Sequence, residues 1–174
     1  EALRNISLKY PNSLYLGHLE LIILGKGEIE HGINNSLDYF IRTSDARNDA
    51  LVLISTKNSA YEIINPNEEK KEEFPVKDIV TTIKNSKEKN GLVIETNYEE
   101  LIKNYLEHGI SQTLTQIENI TTENNEYKDT VLSNIGVFDN YHYKGELDKK
   151  SAIAYNLINN NFNDISIDIT YDKK

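Results

Sequence analysis

The stretch EFPVKDIVTTIKNSKEKNGLVIET, residues 73–96, combines two patterns that occur together in folds that pack helices on a sheet. Val76, Ile79, Val80 and Ile83 recur at the spacing i, i+3, i+4, i+7, which places them on one face of a helix. The preceding proline suits the first turn of that helix, and an Asn-Gly pair ends it. The run GLVIET that follows is short and apolar, which is typical of a buried strand. The stretch therefore predicts a helix that leads into a strand, and packing alone explains its apolar residues.

Similar signals appear on both sides of this stretch. The run ALVLIS at residues 50–55 is apolar on both faces, as in an interior strand, and residues 59–64 predict a short helix. Asn97 is placed to cap a helix that ends at Gly109. Asp148 is placed to cap another helix. Buried strands and capped helices therefore extend over most of the chain.

Four further segments predict strands. Residues 13–27 are interpreted as a strand, or as a passage from helix to strand, and residues 37–43 as a strand between loops. Residues 133–145 predict a strand with a turn. The run DISIDITY at residues 164–171 alternates isoleucine with polar residues, which indicates a one-sided edge strand.

This alternation of helices and strands indicates an α/β or α+β fold. We expect a mixed β-sheet with helices packed on it, in a single compact domain. Residues 1–109 are expected to form an α/β core, and residues 110–174 a C-terminal α+β extension packed on the same core.

The composition excludes several classes of function. Of the 174 residues, 38% are apolar and 27% are charged, which is enough for a buried core. The apolar runs are about four residues long, whereas a membrane-spanning helix needs about 20, so we expect a soluble chain with no spanning segment. A net charge of −9 repels phosphate backbones and anionic lipids, which argues against nucleic acid and membrane surfaces as partners. The absence of cysteine excludes disulfides, thiolate zinc sites and cysteine nucleophiles.

Four segments between about residues 19 and 108 resemble the SseB N-terminal domain family. They are LELIILG, DALVLISTKNSAYEI, FPVKDIVTTI and GLVIETNYEELI, and the resemblance covers about half of the chain. It implies a small α/β domain that interacts with other molecules rather than catalysing a reaction. The family has no established catalytic residues, so the resemblance implies no functional residue here.

The densest group of reactive side chains lies in DNYHYKGE, residues 139–146. In a strand, Tyr141 and Tyr143 share one face and His142 takes the other, so the tyrosines would form an amphipathic contact patch with Lys144 beside them. We therefore predict partner contact at Tyr141, His142, Tyr143 and Lys144. Two alternatives stay open: a hairpin whose aromatic rings only shield a sheet edge, and catalysis with His142 as a general base.

The histidines do not form a metal-binding motif. A metal site needs about three or four converging ligands, and no two of His18, His31, His108 and His142 are spaced i, i+4 as in a helical motif. The charge at the end of the predicted helix explains His108 without a metal. We predict no metal site and no cofactor.

Two other patterns also have structural explanations. Gly25, Gly27 and Gly32 form G-x-G-x-x-x-x-G, two residues longer than the dinucleotide-binding motif, which favours a glycine turn. Arg42 and Arg47 are candidates to clamp a carboxylate, although a salt-bridged turn explains the same residues. No catalytic residue is predicted.

Three hypotheses about function follow. The first is a non-enzymatic, acidic protein-interaction module of a bacterium with an AT-rich genome, of immunity or regulatory type, whose charge complements a basic partner. The alternative is an extracytoplasmic surface or lipoprotein-type domain that binds a ligand, and an enzyme is the third. Glu1 opens the sequence without an initiator methionine, so both a cytoplasmic location and an extracytoplasmic one after removal of a leader fit.

Overall fold

A five-stranded mixed β-sheet carries helices on both of its faces. The computed structural model describes residues 16–42, 47–67, 74–89, 91–107, 111–121 and 128–161. Within them the strands are β1 (Leu21–Leu24), β2 (Leu51–Ile54), β3 (Gln112–Thr121), β4 (Lys128–Asp139) and β5 (His142–Leu147). The helices are α1 (Lys26–His31), α2 (Asn34–Arg42), α3 (Ala60–Ile64), α4 (Val76–Lys89), α5 (Tyr98–Leu106) and α6 (Lys149–Ile158).

The strands lie in the order β1-β2-β3-β4-β5. β1 and β2 are parallel over their whole length, and β3 is parallel to β2 but pairs with it only at Ile54 and Gln116. β3, β4 and β5 form an antiparallel meander with one register shift in each pair. The predicted mixed sheet with packed helices in one domain is therefore confirmed, whereas the division of the chain at residue 109 stays a prediction.

The alternation of side chains along the strands divides the core between two faces of the sheet. On the first face, α1, α2 and α5 cover Val52, Ile54, Leu114 and Phe138. On the second face, α3 and α4 cover the other side chains of β2, together with Ile117 of β3. All four residues of β2 are buried because helices lie on both sides of that strand, as its apolar sequence predicts.

The stretch at residues 73–96 confirms the predicted helix but not the predicted strand. Ile79 and Ile83 of α4 are buried on the second face. The GLVIET segment forms no regular strand and contains a bend at Val93. The Thr115 hydroxyl donates to the Ile94 carbonyl and accepts from the Ile94 amide, both at 2.8 Å. A side chain of β3 thus takes the place of a backbone ladder at Ile94, while the Thr96 carbonyl accepts a hydrogen bond of 2.9 Å from the Val52 amide of β2. Val93 is buried as expected, although the strand prediction was wrong.

The strand predicted at residues 37–43 is also wrong, because α2 occupies this region. Ile33, Leu37 and Phe40 recur at i, i+4, i+7 and pack against the first-face core. The alternation of Leu37, Tyr39 and Ile41 suggested a strand, but Tyr39 and Ile41 are 41% and 51% exposed on the outside of α2. Alternation over so few residues does not distinguish a strand from a helix.

The caps predicted at Asn97 and Asp148 are confirmed, as is the short helix predicted at residues 59–64. Ser59 caps α3 through a complete capping box with Glu62, Asn97 caps α5, and Asp148 caps α6. The strand and turn predicted at residues 133–145 correspond to β4, β5 and their connection. The predicted edge strand DISIDITY lies outside the described residues.

Candidate functional site

The two residues that connect β4 and β5 have unusual backbone angles. Asn140 and Tyr141 have φ values of 47° and 66°, the left-handed geometry of a tight hairpin turn. Asparagine tolerates this region, but a bulky side chain is uncommon there. The surrounding structure must therefore hold Tyr141 in place.

Three contacts hold Tyr141 against the first face. Its carbonyl oxygen accepts a hydrogen bond of 3.2 Å from the Ile33 amide, which ties the turn to the start of α2. Its ring packs on Tyr105 of α5, with centroids 4.0 Å apart and planes tilted by 35°. Burial, followed by a hydrogen bond to Tyr105, raises the pKa of the Tyr141 hydroxyl far above its ordinary value. Tyr141 thus links the turn to two helices.

Tyr143 packs on the same face of the sheet. Its ring lies 5.7 Å from that of Phe138, edge to face, and both tyrosines contact the first-face core. Burial raises the pKa of the Tyr143 hydroxyl, with a smaller contribution from Glu146. Tyr141 and Tyr143 therefore lie on the same face, as their spacing predicts, but both are partly buried against the first-face core.

His142 and Lys144 are the exposed members of the predicted contact residues. The His142 ring lies over Gly32, so close that a Cβ at that position would be 3.2 Å from its Cε1 atom. Gly32 also has a φ of 95°, which favours glycine at the end of α1. Among the described residues, no carboxylate is hydrogen-bonded to His142 to orient it as a general base.

A polar network that the sequence analysis missed lies beside the turn. Glu146 accepts hydrogen bonds from Gln116 Nε2 at 2.7 Å and from Asn134 Nδ2 at 2.9 Å. Thr56 in turn donates to Gln116 Oε1 at 2.9 Å. The four residues come from three strands and the loop after β2, so no sequence spacing indicates the network. It fixes β5 to the centre of the sheet.

The second face has a cavity that sequence reasoning also missed. It has a volume of about 420 Å3 and lies between α4, the segment after α4 and β4. Ile79, Val93, Ile117 and Leu132 contribute apolar walls. The apolar periodicity predicts which residues turn inward, but not where neighbouring helices leave a gap.

The other sequence candidates are separated in the structure. Arg42 pairs with Asp38 at 2.7 Å and Arg47 with Asp49, so each arginine has its own carboxylate partner and the salt bridges are local. His31 Nδ1 lies 2.7 Å from the Gly27 carbonyl oxygen within α1, and His108 lies outside the described residues.

Two further observations concern metals and glycines. No group of three or more potential metal-ligating side chains comes together in the described part of the chain. Gly27 lies inside α1 rather than in a turn, which corrects the predicted glycine turn there. Gly25 precedes α1, where a Cβ would collide with the backbone of Ser59 and Ala60, so this glycine permits close packing of two elements.

Comparison with known proteins identifies the family. No curated protein and no solved structure matches the chain significantly. None of the helices in the described residues combines the length and the apolar character that crossing a membrane requires. The family model described as spore germination protein N-terminal domain matches residues 1–119, well over half of the chain.

This match overturns the resemblance to the SseB N-terminal domain family. The segments that suggested that family, such as the run around β2 and α3, are a buried strand followed by a capped short helix. Many unrelated folds with helices on a sheet share this pattern, because burial and capping demand it. The chain belongs to the spore germination protein N-terminal domain family.

Proposed function

We propose that the chain is an extracytoplasmic, non-enzymatic binding domain of a spore germination protein, as a lipoprotein-type subunit of a germinant receptor would contain. The observation that carries this proposal is the family match over residues 1–119. It supports the alternative of a surface or lipoprotein-type ligand-binding domain over an immunity or regulatory module. In this role the domain works by contact with other proteins of the receptor and with small molecules.

The β4–β5 turn is the surface that we assign to protein contact. Its backbone is fixed by the Ile33 hydrogen bond and by the stacking of Tyr141 on Tyr105. The turn thus presents His142 and Lys144 to solvent from a rigid support, which lowers the entropy lost on binding. The acidic net charge of −9 favours a partner with a basic surface around this contact.

Spores that carry turn variants test the proposal. We expect the double variant His142→Ala/Lys144→Ala to slow germination about fivefold or more, since contact residues that matter cost more than about 1 kcal/mol on truncation. The rate is measured as the fall in absorbance of a spore suspension after addition of germinant. The amount of the protein in the spore membrane fraction is measured in parallel.

Lys150→Ala is the matched control, because Lys150 is an exposed lysine on α6, away from the turn. It should leave germination unchanged. Normal germination of the turn variant at a normal protein level contradicts the contact surface. Recovery of the wild-type protein only from the cytoplasm contradicts the extracytoplasmic location.

A further inference from the structure

The second-face cavity arises because the helices do not cover the whole sheet. A helix is about 10 Å wide and strands lie about 4.8 Å apart, so one helix covers about two strands. α4 covers β2 and β3, where Leu53 and Ile117 are 1% exposed. Over β4, Leu132 stays half-buried, and α6 begins only at the far wall of the cavity with Lys149. The cavity therefore results from the positions of the helices on the sheet.

The walls of the cavity combine an apolar floor with hydroxyl groups. Ile79, Val93, Ile117 and Leu132 form part of the second-face core, so the floor of the cavity is continuous with that core. Four residues that carry hydroxyl groups line the cavity, two from α4 and two from β4: Thr82, Ser86, Thr130 and Ser133. An apolar pocket with a few polar groups is the usual construction of a small-molecule site.

Size and charge narrow the class of ligand. A volume of about 420 Å3 lies in the range of small-molecule pockets, and a helix of about 10 Å diameter does not fit beside α4 in such a space. The charged residues at the cavity are one acid, Asp78, and one base, Lys149, so neither sign is in excess. Charge complementarity therefore favours a ligand without net charge.

We propose that this cavity binds a small molecule with an apolar body, no net charge and one or two hydrogen-bonding groups. The biological role of such a ligand rests on the proposed function above. The cavity itself lies on the face of the sheet opposite to Tyr141 and Tyr143, so ligand binding here and protein contact at the turn can occur together.

Titration of the purified chain with indole, followed by NMR of the backbone amides, tests the proposal. Indole is an uncharged ring with one N–H donor, which matches the floor and the hydroxyls. We expect saturable shifts confined to residues around the cavity. Indole-3-acetate, which adds a negative charge to the same ring, should bind at least fivefold more weakly.

Two variants locate the binding. Thr82→Trp places a large ring at the mouth of the cavity from an exposed position of α4, and should weaken indole binding at least tenfold. Asn85→Trp, the matched control, adds the same ring to an exposed position of the same helix that does not line the cavity, and should bind within twofold of wild type. Ser133→Leu fills the cavity from β4 and provides a second blocking variant, and circular dichroism confirms that each variant is folded.

The absence of saturable shifts up to the solubility limit of indole overturns the proposal. Undiminished binding in both folded blocking variants overturns it as well, and equal affinity for indole-3-acetate overturns the uncharged class. Because the titration uses only the purified chain, a failure here leaves protein contact at the turn intact. Conversely, unaffected germination of the turn variants leaves this cavity as a binding site.

Discussion

On the first face of the sheet, Leu114 and Phe138 are fully buried under three helices, whereas on the second face Leu132 stays half-buried beside a cavity of about 420 Å3. Both faces belong to the same strands, so strand sequence alone does not explain the difference. The first face also receives the rings of Tyr141 and Tyr143, which extend its core to the turn. The number and position of the covering helices decide which face is closed and which can admit a ligand.

The largest effect expected from this comparison is on stability. Leu114→Ala removes a side chain with 0% exposure from the first face and leaves a void, so we expect it to lower the free energy of unfolding by about 3 kcal/mol. Leu132→Ala makes the same chemical change on the neighbouring strand but enlarges a cavity that already exists, so we expect a loss of about 1 kcal/mol. Urea denaturation of both variants, with the m-value checked, measures the difference.

Equal losses for Leu114→Ala and Leu132→Ala would mean that the second face is as tightly closed as the first. The cavity would then be absent in solution, and the proposal that it binds a ligand would be wrong as well.

How far the sequence predicts each face depends on how local the signal is. β2 and the inward face of α4 follow from runs and spacings within about ten residues, and both were predicted correctly. The same is true of Asn97 and Asp148, because a cap acts on amides three residues away. Residues 37–43 were misassigned because three alternating apolar residues fit a strand, while the helical spacing becomes visible only when Ile33 is included.

The candidate site was less predictable because its contacts are distant in sequence. The order Tyr-His-Tyr correctly predicts that two rings share a face, but Tyr105 and Ile33, which hold the turn, lie 36 and 108 residues from Tyr141. The gap over β4 depends on where helices lie across the sheet, which no local pattern encodes. The sequence therefore predicts which residues form the turn, whereas only the structure shows which residues hold the turn in place.

A smaller effect on stability is expected from the polar contacts that close the second face of the sheet. Asn156 of α6 is 1% exposed and its Nδ2 donates to the carbonyl oxygens of Gly91 and Val93, at 2.7 and 3.3 Å. Asn156→Ala leaves these two buried acceptors without their donor, so we expect a loss of about 2 kcal/mol in thermal or urea unfolding.

Asn159→Ala is the matched control at the C-cap of the same helix, because the exposed Asn159 side chain donates to the Tyr155 carbonyl of α6. We expect it to change stability by less than about 0.5 kcal/mol. Equal changes in stability for the two variants would mean that apolar contacts hold α6 in place. The hydrogen bonds of Asn156 would then not be what closes the second face.

The smallest effect on stability concerns the first face and is measurable only at high pH. The neutral form of Tyr141 is favoured in the folded state, chiefly by burial, so its pKa is raised above the ordinary 10.0. Below pH 10 the hydroxyl is protonated in both states and contributes no pH dependence, whereas above it the unfolded chain releases the proton and the folded chain retains it. Stability should therefore fall as pH rises above about 10. Tyr141→Phe should fall less steeply than wild type over that range, when urea midpoints are compared between pH 8 and 11.

Tyr105→Phe separates the two causes of this pH dependence. It removes the hydroxyl that shares a hydrogen bond with Tyr141 but keeps a ring for stacking, and the hydrogen bond is the smaller cause of the raised pKa. The part of the decline above pH 10 that Tyr141 causes should therefore persist mostly in Tyr105→Phe and be lost in Tyr141→Phe, whereas partly buried Tyr143 still contributes in both variants. A Tyr141→Phe profile as steep as that of wild type would show that the turn opens to solvent. The first face would then be as open to solvent at the turn as the second face is over β4.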